Sequence, residues 1–354
     1  MPTETKLTQM LGLKAPIVQG PFGGGLSTVE LTAEVSNRGG LGSFGAHLLT
    51  PQSLIELVRT IKGKTPNAFA INLWVSDHDP GGLGVSQDAY ETYWQAFKPY
   101  YDELGLAKPA QPAHFHEKFE DQVAALIEAR PPAFSFVFGI PAPHILNACR
   151  ERGIATIGAA TTLSEARALD EAGIDIVVAT GFEAGGHRPS FLAAAEDSLM
   201  STAAIVQTAA PRIAAPIIAA GGIVDQRGVD AALTLGATAA QLGTAFLACE
   251  ESGTSDAHRA VLFSPEVVKE TTLTRTYTGR LARGVQNRLI RELEMRADEI
   301  APFPVQAFFV SRLKAACAET NRTDLTSLYA GQSAPNLKYR NVADLMDALT
   351  HPTA

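Results

Sequence analysis

Residues 155–180, ATIGAATTLSEARALDEAGIDIVVAT, have the pattern of one complete strand–helix–strand unit. The two apolar runs at its ends, Ala155 to Ala160 and Ile174 to Thr180, show no regular alternation with polar residues. Near-continuous apolar runs are typical of parallel strands that are covered on both faces. The segment therefore predicts two neighbouring parallel strands joined by a helix.

The connecting helix has recognisable signals at both ends. Thr162 and Glu165 have the spacing of a capping box, in which the hydroxyl accepts a hydrogen bond from the first turn and the carboxylate reaches back. Gly173 follows the helix, at the place where a left-handed residue commonly ends one. Residues 27–30, Ser-Thr-Val-Glu, carry the same capping pattern. Glycine also ends helical patterns at Gly39, Gly153 and Gly236.

Apolar runs of the same kind recur along the whole chain. Six more are predicted as strands: Ala15 to Gln19, Gly40 to Ala46, Ala68 to Val75, Phe134 to Gly139, Pro216 to Gly221 and Ala239 to Phe246. Eight strand–helix units in one chain predict an α/β fold, a TIM-like (β/α)8 barrel.

The spacing of these units predicts a second, smaller domain. A long segment rich in aromatic residues and proline separates the third strand from the fourth, and the regular alternation of strand and helix patterns ends near residue 263. We expect residues 1–75 and 131–262 to form the barrel, completed by a C-terminal helix within 303–354. Residues 76–130 and 263–302 are expected to form the smaller domain and to cover the substrate.

The composition excludes several classes of protein. The chain has 354 residues, of which 46% are hydrophobic and 19% charged, so a disordered chain is excluded. Its net charge of -8, with no block of basic residues, argues against nucleic acid and anionic membranes as partners. No apolar stretch approaches the roughly 18 residues of a membrane span, and we expect no signal peptide, because the first residues lack a basic start followed by an apolar run. We expect a cytoplasmic monomer or homodimer.

The predicted seventh and eighth strands end in glycine-rich segments. In barrel enzymes the active site lies at the C-terminal ends of the strands, and the loops after strands seven and eight frequently bind a phosphate. The seventh strand ends in Gly221 and Gly222 here, and the eighth contains Gln241, Leu242, Gly243 and Thr244. Glycine lets backbone N–H groups approach an anion closely, although each pair alone also suits a tight turn. Together the two segments predict a phosphate site.

Two earlier strands carry further candidates. The first strand is followed by Gly20, Pro21, Phe22 and three glycines, which suits either a flexible turn or close packing of backbone against a flat ligand. Asn72 lies inside an apolar strand, where its amide must be hydrogen-bonded either to a ligand or to a neighbouring loop.

His187 lies in the glycine-rich loop after the sixth strand. A histidine at a barrel mouth suits a general base because its ordinary pKa lies near neutral pH, whereas one structural hydrogen bond is the alternative role. The strand-end position and the surrounding glycines favour catalysis. His114 and His116 have no evident third ligand and the three cysteines lie far apart, so we expect no metal site.

These segments together resemble the nitronate monooxygenase family. The matches follow the family's order: PIVQGP at 16–21, VSNRGGLGS at 35–43, FVFGIP at 136–141, EAGGHR at 183–188, AAGGI at 219–223 and QLGT at 241–244. The resemblance implies a noncovalent FMN on a TIM-like barrel and His187 as the catalytic base. The implied FMN-binding residues are Gly20, Pro21, Phe22, Asn72, Thr180, Gly185, Gly221, Gly222, Gln241, Leu242, Gly243 and Thr244. Family members often have Met at the position of Phe22 and Gln at that of Thr180, so these two positions depart from the pattern.

The implied reaction is the oxidation of alkyl nitronates, such as propionate 3-nitronate, by O2. It passes through a flavin semiquinone and gives a carbonyl compound and nitrite. Neutral nitroalkanes are further candidate substrates, from which neutral His187 would remove the α-proton. An FMN-dependent NAD(P)H reductase of quinones or enoyl thioesters is the alternative enzyme, and a non-catalytic flavin-binding module is a third. The expected partners are therefore a small nitronate or nitroalkane and O2.

Overall fold

The computed structural model describes residues 4–75, 79, 84–264 and 271–350. Parts of the predicted smaller domain, at 76–78, 80–83 and 265–270, lie outside the described residues. The strands are β1 (Ile17–Gln19), β2 (Gly42–Gly45), β3 (Phe69–Trp74), β4 (Ala133–Val137), β5 (Ala155–Ala160), β6 (Ile176–Thr180), β7 (Gly186–His187), β8 (Ile217–Ala220), β9 (Ala239–Leu242), β10 (Thr271–Thr274) and β11 (Ala282–Val285). The helices are α1 (Lys6–Leu11), α2 (Val29–Asn37), α3 (Pro51–Lys64), α4 (Gln87–Glu103), α5 (Phe119–Ala129), α6 (Pro143–Glu151), α7 (Leu163–Glu171), α8 (Thr202–Ala209), α9 (Gln226–Thr234), α10 (Thr244–Leu247), α11 (Asp256–Leu262), α12 (Arg288–Glu294), α13 (Val305–Glu319) and α14 (Val342–Thr350).

The central sheet is an eight-stranded parallel barrel. Its strand order is β1-β9-β8-β6-β5-β4-β3-β2. A parallel bridge between Val18 and Leu41 joins β1 to the segment that leads into β2, and so brings the two ends of the sheet together. The prediction of eight parallel strands in a (β/α)8 barrel is confirmed.

The predicted C-terminal end of the eighth strand is wrong. That strand was expected to continue to Phe246, but β9 ends at Leu242 and residues Thr244–Leu247 form the short helix α10. The backbone changes direction at Gly243, with φ -94° and ψ -78°. An apolar run cannot by itself distinguish a buried strand from a buried helical turn.

The two predicted capping boxes have different outcomes. The Thr162 hydroxyl accepts from the Glu165 backbone N–H at 3.2 Å, as predicted, but the Glu165 carboxylate accepts from the Thr161 N–H at 2.7 Å. The second box is wrong, because Thr28 rather than Ser27 caps α2. The predicted glycine helix ends are confirmed by positive φ angles at Gly39, Gly153, Gly173 and Gly236.

Aromatic residues of the long segment after β3 form a core of their own. Phe97 on α4 stacks on Phe309 of α13 with ring centroids 4.9 Å apart, and Trp94, Tyr101 and Leu313 are buried beside them. Helix α14 instead packs against α2 and α9 in the barrel core. The predicted division into domains stays a prediction.

An antiparallel sheet that the sequence did not predict lies beside the barrel. It has the order β10-β11-β7 and pairs the segment after residue 270 with the loop after β6. In this sheet His187 lies opposite Ala282. Among the described residues, no helix is both long enough and apolar enough to cross a membrane.

Candidate active site

One cavity of about 720 Å³ is lined by residues that follow the C-terminal ends of the barrel strands. All but one of the predicted site residues line it. They are Gly20, Pro21, Phe22, Asn72, Thr180, Gly185, His187, Gly221, Gly222, Gln241, Gly243 and Thr244. Leu242 is the exception, because its side chain is fully buried in the barrel core. Its carbonyl oxygen accepts from the N–H of Gly20, a residue that does line the cavity, at 2.9 Å.

The glycine segments after β8 and β9 leave backbone donors free. The N–H groups of Gly222, Gly243 and Thr244 have no acceptor within the described part of the chain. A Cβ added at Gly243 would meet nothing within 4 Å, so open space lies beside this residue. Gly221 and Gly222 have φ angles of +121° and +69°, which suit glycine. Free N–H groups beside open space can bind an anion.

Residues 330–333, which were not predicted as part of the site, close the cavity beside the glycine segments that follow β8 and β9. The Ser333 hydroxyl donates to the Gly222 carbonyl at 2.7 Å, and the Gly331 N–H donates to Thr244 Oγ1 at 2.9 Å. A Cβ at Gly185 would lie 2.6 Å from the Gly331 nitrogen. Gly185 is therefore required by the close approach of this backbone, whatever the cavity binds.

The amide NH2 group of Asn72 is hydrogen-bonded to the neighbouring strand rather than to a loop. It lies opposite Ser135 in the β3–β4 pair and donates to the Ser135 hydroxyl at 3.0 Å. Both residues line the cavity, and the Asn72 amide oxygen makes no hydrogen bond within the described residues. That oxygen remains available to a ligand.

His187 is held by one hydrogen bond and an aromatic contact. Its Nε2 lies 2.8 Å from Thr278 Oγ1, and its ring meets the Trp74 indole edge-on with centroids 4.8 Å apart. Burial, assisted by the charge of Arg280, lowers the pKa of His187 from 6.5 to about 3. The imidazole is therefore neutral at pH 7, and its Nδ1 makes no hydrogen bond within the described residues.

The partners of Thr278 determine which nitrogen of His187 can accept a proton. The Thr278 hydroxyl accepts from the Arg280 N–H at 3.3 Å and lies 3.5 Å from the Arg280 carbonyl oxygen. A hydroxyl that donates to this carbonyl accepts from a protonated Nε2 of His187. Nδ1 then keeps its lone pair, as a general base requires.

Arg280 lies behind the aromatic wall of the cavity, which is formed by Trp74, Phe138 and Phe303. Its guanidinium lies 3.5 Å from the centroid of the Phe138 ring, and its Nη2 is 2.5 Å from Asp79 Oδ2. Burial lowers the pKa of Arg280 while the Asp79 carboxylate opposes that shift. Trp74 and Thr278 were not predicted as site residues, because their contacts with His187 join residues that are distant in sequence.

Arg188, the neighbour of the candidate base, has a structural role. It is 3% exposed and donates to the Ser198 carbonyl at 3.0 Å, the Thr180 carbonyl at 2.5 Å and the Thr161 carbonyl at 3.2 Å. Burial lowers its pKa to about 10, so it stays charged at neutral pH. Its hydrogen bonds tie the loop after β6 to the ends of β5 and β6.

Comparisons with known proteins identify relatives over nearly the whole chain. A family model described as nitronate monooxygenase matches residues 4–351. A probable nitronate monooxygenase from Staphylococcus haemolyticus (strain JCSC1435) is 36% identical over 347 residues, covering 97% of this chain and 95% of the relative. A second, from Staphylococcus aureus (strain MSSA476), is 36% identical and covers 99% and 94%.

Two solved structures share the fold over nearly their whole length. Nitroalkane oxidase from Streptomyces ansochromogenes has a TM-score of 0.87 and 32% identity, covering 97% of this chain and 96% of its own. FabK from Thermotoga maritima has a TM-score of 0.75 and 26% identity, covering 98% and 94%.

Proposed function

This chain belongs to the nitronate monooxygenase family of oxidoreductases, and on that premise we propose that it oxidises alkyl nitronates with O2. The proposed cofactor is noncovalent FMN, and the proposed products are a carbonyl compound and nitrite. Propionate 3-nitronate is a candidate substrate, and neutral nitroalkanes are further ones. The observation that carries the proposal is a neutral, oriented His187 in the same cavity as the free backbone donors after β8 and β9.

The residues present fit an FMN. The free N–H groups of Gly222, Gly243 and Thr244 suit its phosphate, and the open space beside Gly243 admits a group that a side chain would block. Asn72 offers an unpaired amide oxygen to a ring N–H. We propose that Gly20, Pro21, Phe22 and the other cavity-lining residues predicted above contact the same cofactor. When bound, the flavin supplies the redox chemistry and the protein supplies orientation and electrostatics.

His187 is proposed to act on the substrate as a base. Its Nδ1 is the free nitrogen, and Thr278 orients the ring through Nε2. With a neutral nitroalkane, Nδ1 removes the α-proton and produces the nitronate in place. A nitronate supplied as such has already lost that proton, so it needs no base. The aromatic wall of Trp74, Phe138 and Phe303 gives this part of the cavity an apolar surface.

The related fold of FabK supports one rival function, an NAD(P)H-dependent flavin reductase. A single preparation decides between the two. The bound cofactor is released by heat and identified by chromatography, and the intact protein is then tested for O2 consumption and nitrite release with propionate 3-nitronate. In parallel, NADH is mixed with the protein anaerobically. FMN, nitrite and no bleaching by NADH support the proposal, whereas rapid bleaching by NADH without nitrite production supports the reductase.

A further inference from the structure

His47 is a second histidine in the cavity wall, and the proposed function does not yet use it. It follows β2, where Gln122 holds the backbone by donating to the carbonyls of His47 at 3.0 Å and Leu49 at 2.7 Å. Its side chain lines the cavity and stacks face to face on Trp74. His187 contacts the edge of the same indole, so both imidazoles belong to one part of the cavity.

The two ring nitrogens of His47 lie in different surroundings. Nδ1 is enclosed by protein atoms and has no hydrogen-bond partner in the described part of the chain. The edge of the ring that contains Nδ1 packs on Gly23, where an added Cβ would lie 2.9 Å from this nitrogen. Nε2 also makes no hydrogen bond to a described residue, but it is not enclosed in this way. Nε2 is therefore the nitrogen that a ligand in the cavity can reach.

These surroundings determine which nitrogen carries the proton. Burial, assisted by the charge of Arg280, lowers the pKa of His47 from 6.5 to about 3, so the ring is neutral at pH 7 and has one N–H group. An N–H at Nδ1 would be a buried donor without an acceptor, which is rare in folded proteins because the hydrogen bond to water is lost. A proton at Nε2 can be donated into the cavity. His47 then offers a donor, whereas His187 offers the lone pair of its Nδ1.

We propose that the Nε2–H of His47 donates a hydrogen bond to the nitro oxygens of the substrate. This inference rests on the proposed function, but the binding preference that it predicts can be measured without turnover. When His187 takes the α-proton of a nitroalkane, the electron pair of the C–H bond moves on to the nitro oxygens. A donor placed there stabilises the developing negative charge, and His47 keeps its own proton. A nitronate already carries this charge, so the same contact binds it.

Two unreactive molecules of the same shape separate a charged acceptor from a neutral one. Isobutyrate has the heavy-atom arrangement of propane-2-nitronate, with its charge on two oxygens, whereas 3-methyl-2-butanone has the same arrangement with one uncharged oxygen. Their binding to the flavin-loaded protein is measured from the change in flavin absorbance.

Three variants separate the donor from the ring. His47→Phe keeps an aromatic ring for Trp74 but has no donor. His47→Gln loses the ring but places an amide N–H near the former Nε2. His144→Phe makes the same change at an exposed histidine that does not line the cavity, and is the control.

The two His47 variants should have opposite effects on the anion. His47→Phe should weaken isobutyrate binding by about tenfold to a hundredfold, the usual effect of losing a hydrogen bond to a charged group, and ketone binding by about fivefold. His47→Gln should retain most of the isobutyrate affinity, and His144→Phe all of it. Retained affinity in His47→Phe with a loss in His47→Gln would show that only ring packing matters, and would overturn the proposal. Equal losses of both ligands, or no binding of isobutyrate to the unmodified protein, would also overturn it.

A second measurement separates the substrate from the cofactor as the acceptor, because a flavin ring also has carbonyl oxygens. The FMN affinity of the apoprotein is determined for the same variants. Unchanged FMN affinity supports the substrate assignment, whereas a loss that parallels the loss of isobutyrate overturns it. With turnover, kcat/KM for propane-2-nitronate should fall in His47→Phe by the factor found for isobutyrate. If the unmodified protein oxidises no nitronate, the proposed function fails, and isobutyrate binding still decides the role of His47.

Discussion

His47 stacks face to face on Trp74, with ring centroids 3.8 Å apart and ring planes 6° apart. His187 contacts the same indole edge-on, so Trp74 is in contact with two imidazoles. Burial, with the charge of Arg280, lowers the pKa of both histidines to about 3. Two neutral rings can pack on an indole without the repulsion that two cations would bring. The proposed base is therefore oriented by an aromatic wall as well as by Thr278.

Replacing the proposed base should separate the two kinds of substrate. We expect His187→Asn to lower kcat/KM for a neutral nitroalkane by about 10²- to 10⁴-fold, the usual contribution of a general base. Activity on the preformed nitronate should be largely retained, because its α-proton is already gone. Steady-state O2 consumption on both forms of one compound measures the ratio. Equal losses on the two forms would show that His187 is not the base.

Removing the hydroxyl that orients His187 should give a smaller effect of the same kind. Thr278→Val leaves Nε2 without its partner at 2.8 Å, so the ring loses its preferred orientation and tautomer. We expect kcat/KM for the neutral nitroalkane to fall about fivefold, with the nitronate little changed, since one such hydrogen bond contributes about 1 kcal/mol. Thr278→Ser keeps the hydroxyl and is the control. A normal rate in the valine variant would exclude this orienting role.

Buried His258 predicts that the protein becomes less stable as the pH falls. Burial lowers its pKa from 6.5 to about 4, and its Nε2 lies 3.1 Å from the Tyr329 carbonyl oxygen. Below pH 6.5 the unfolded chain binds this proton and the folded chain does not, so stability is lost from pH 6.5 down to about pH 4. Urea unfolding at pH 7 and pH 5 measures the loss.

In His258→Gln that loss between pH 7 and pH 5 should be smaller by about 1–2 kcal/mol, because one such proton is no longer taken up. Glutamine can still donate to the Tyr329 carbonyl. The matched control is His114→Gln, which changes an exposed histidine and should leave the pH dependence as it is. The same pH dependence in both variants would contradict the assignment.

Arg188 should be required for stability rather than for substrate binding. Arg188→Met leaves the carbonyls of Thr161, Thr180 and Ser198 without their donor, and we expect the free energy of unfolding to fall by about 3 kcal/mol. Arg227→Met, at an arginine whose side chain is 82% exposed, should change it by less than about 0.5 kcal/mol. Thermal unfolding compares the two. Similar melting temperatures would refute the structural role.

Gly185 and Gly63 should respond oppositely to alanine. A Cβ at Gly185 would collide with the backbone of Ala330 and Gly331, whereas one at Gly63 would meet nothing within 4 Å. We expect Gly185→Ala to displace the segment that closes the cavity and to weaken FMN binding at least tenfold. Gly63→Ala lies in helix α3 and should stabilise the protein by about 0.5–1 kcal/mol. FMN titration of the Gly185→Ala apoprotein and urea unfolding of Gly63→Ala test the two expectations, and unchanged FMN affinity in Gly185→Ala would contradict the first.

The barrel could be predicted from sequence because burial on both faces of a parallel sheet requires continuous apolar runs. That Gly222, Gly243 and His187 would meet was also predictable, since the carboxyl ends of parallel barrel strands lie at one rim. Leu242 shows the limit of this reasoning. It lies within the segment that resembles the family, but the alternation of side chains along β9 directs it into the core.

The sequence by itself determined the barrel, the rim on which its glycines meet and the histidine beside them, because these follow from local hydrophobic pattern and strand order. Only the tertiary structure decided which residues hold that histidine and placed the charge of Arg280 where it lowers the pKa of His187. Thr278 is 91 positions from His187, and Ser333 is 111 positions from Gly222. Such contacts depend on how the segment after residue 270 returns over the barrel. The hydrophobic pattern of the sequence does not predict that path, because each contact depends on how two distant segments pack and not on the conformational preference of either one.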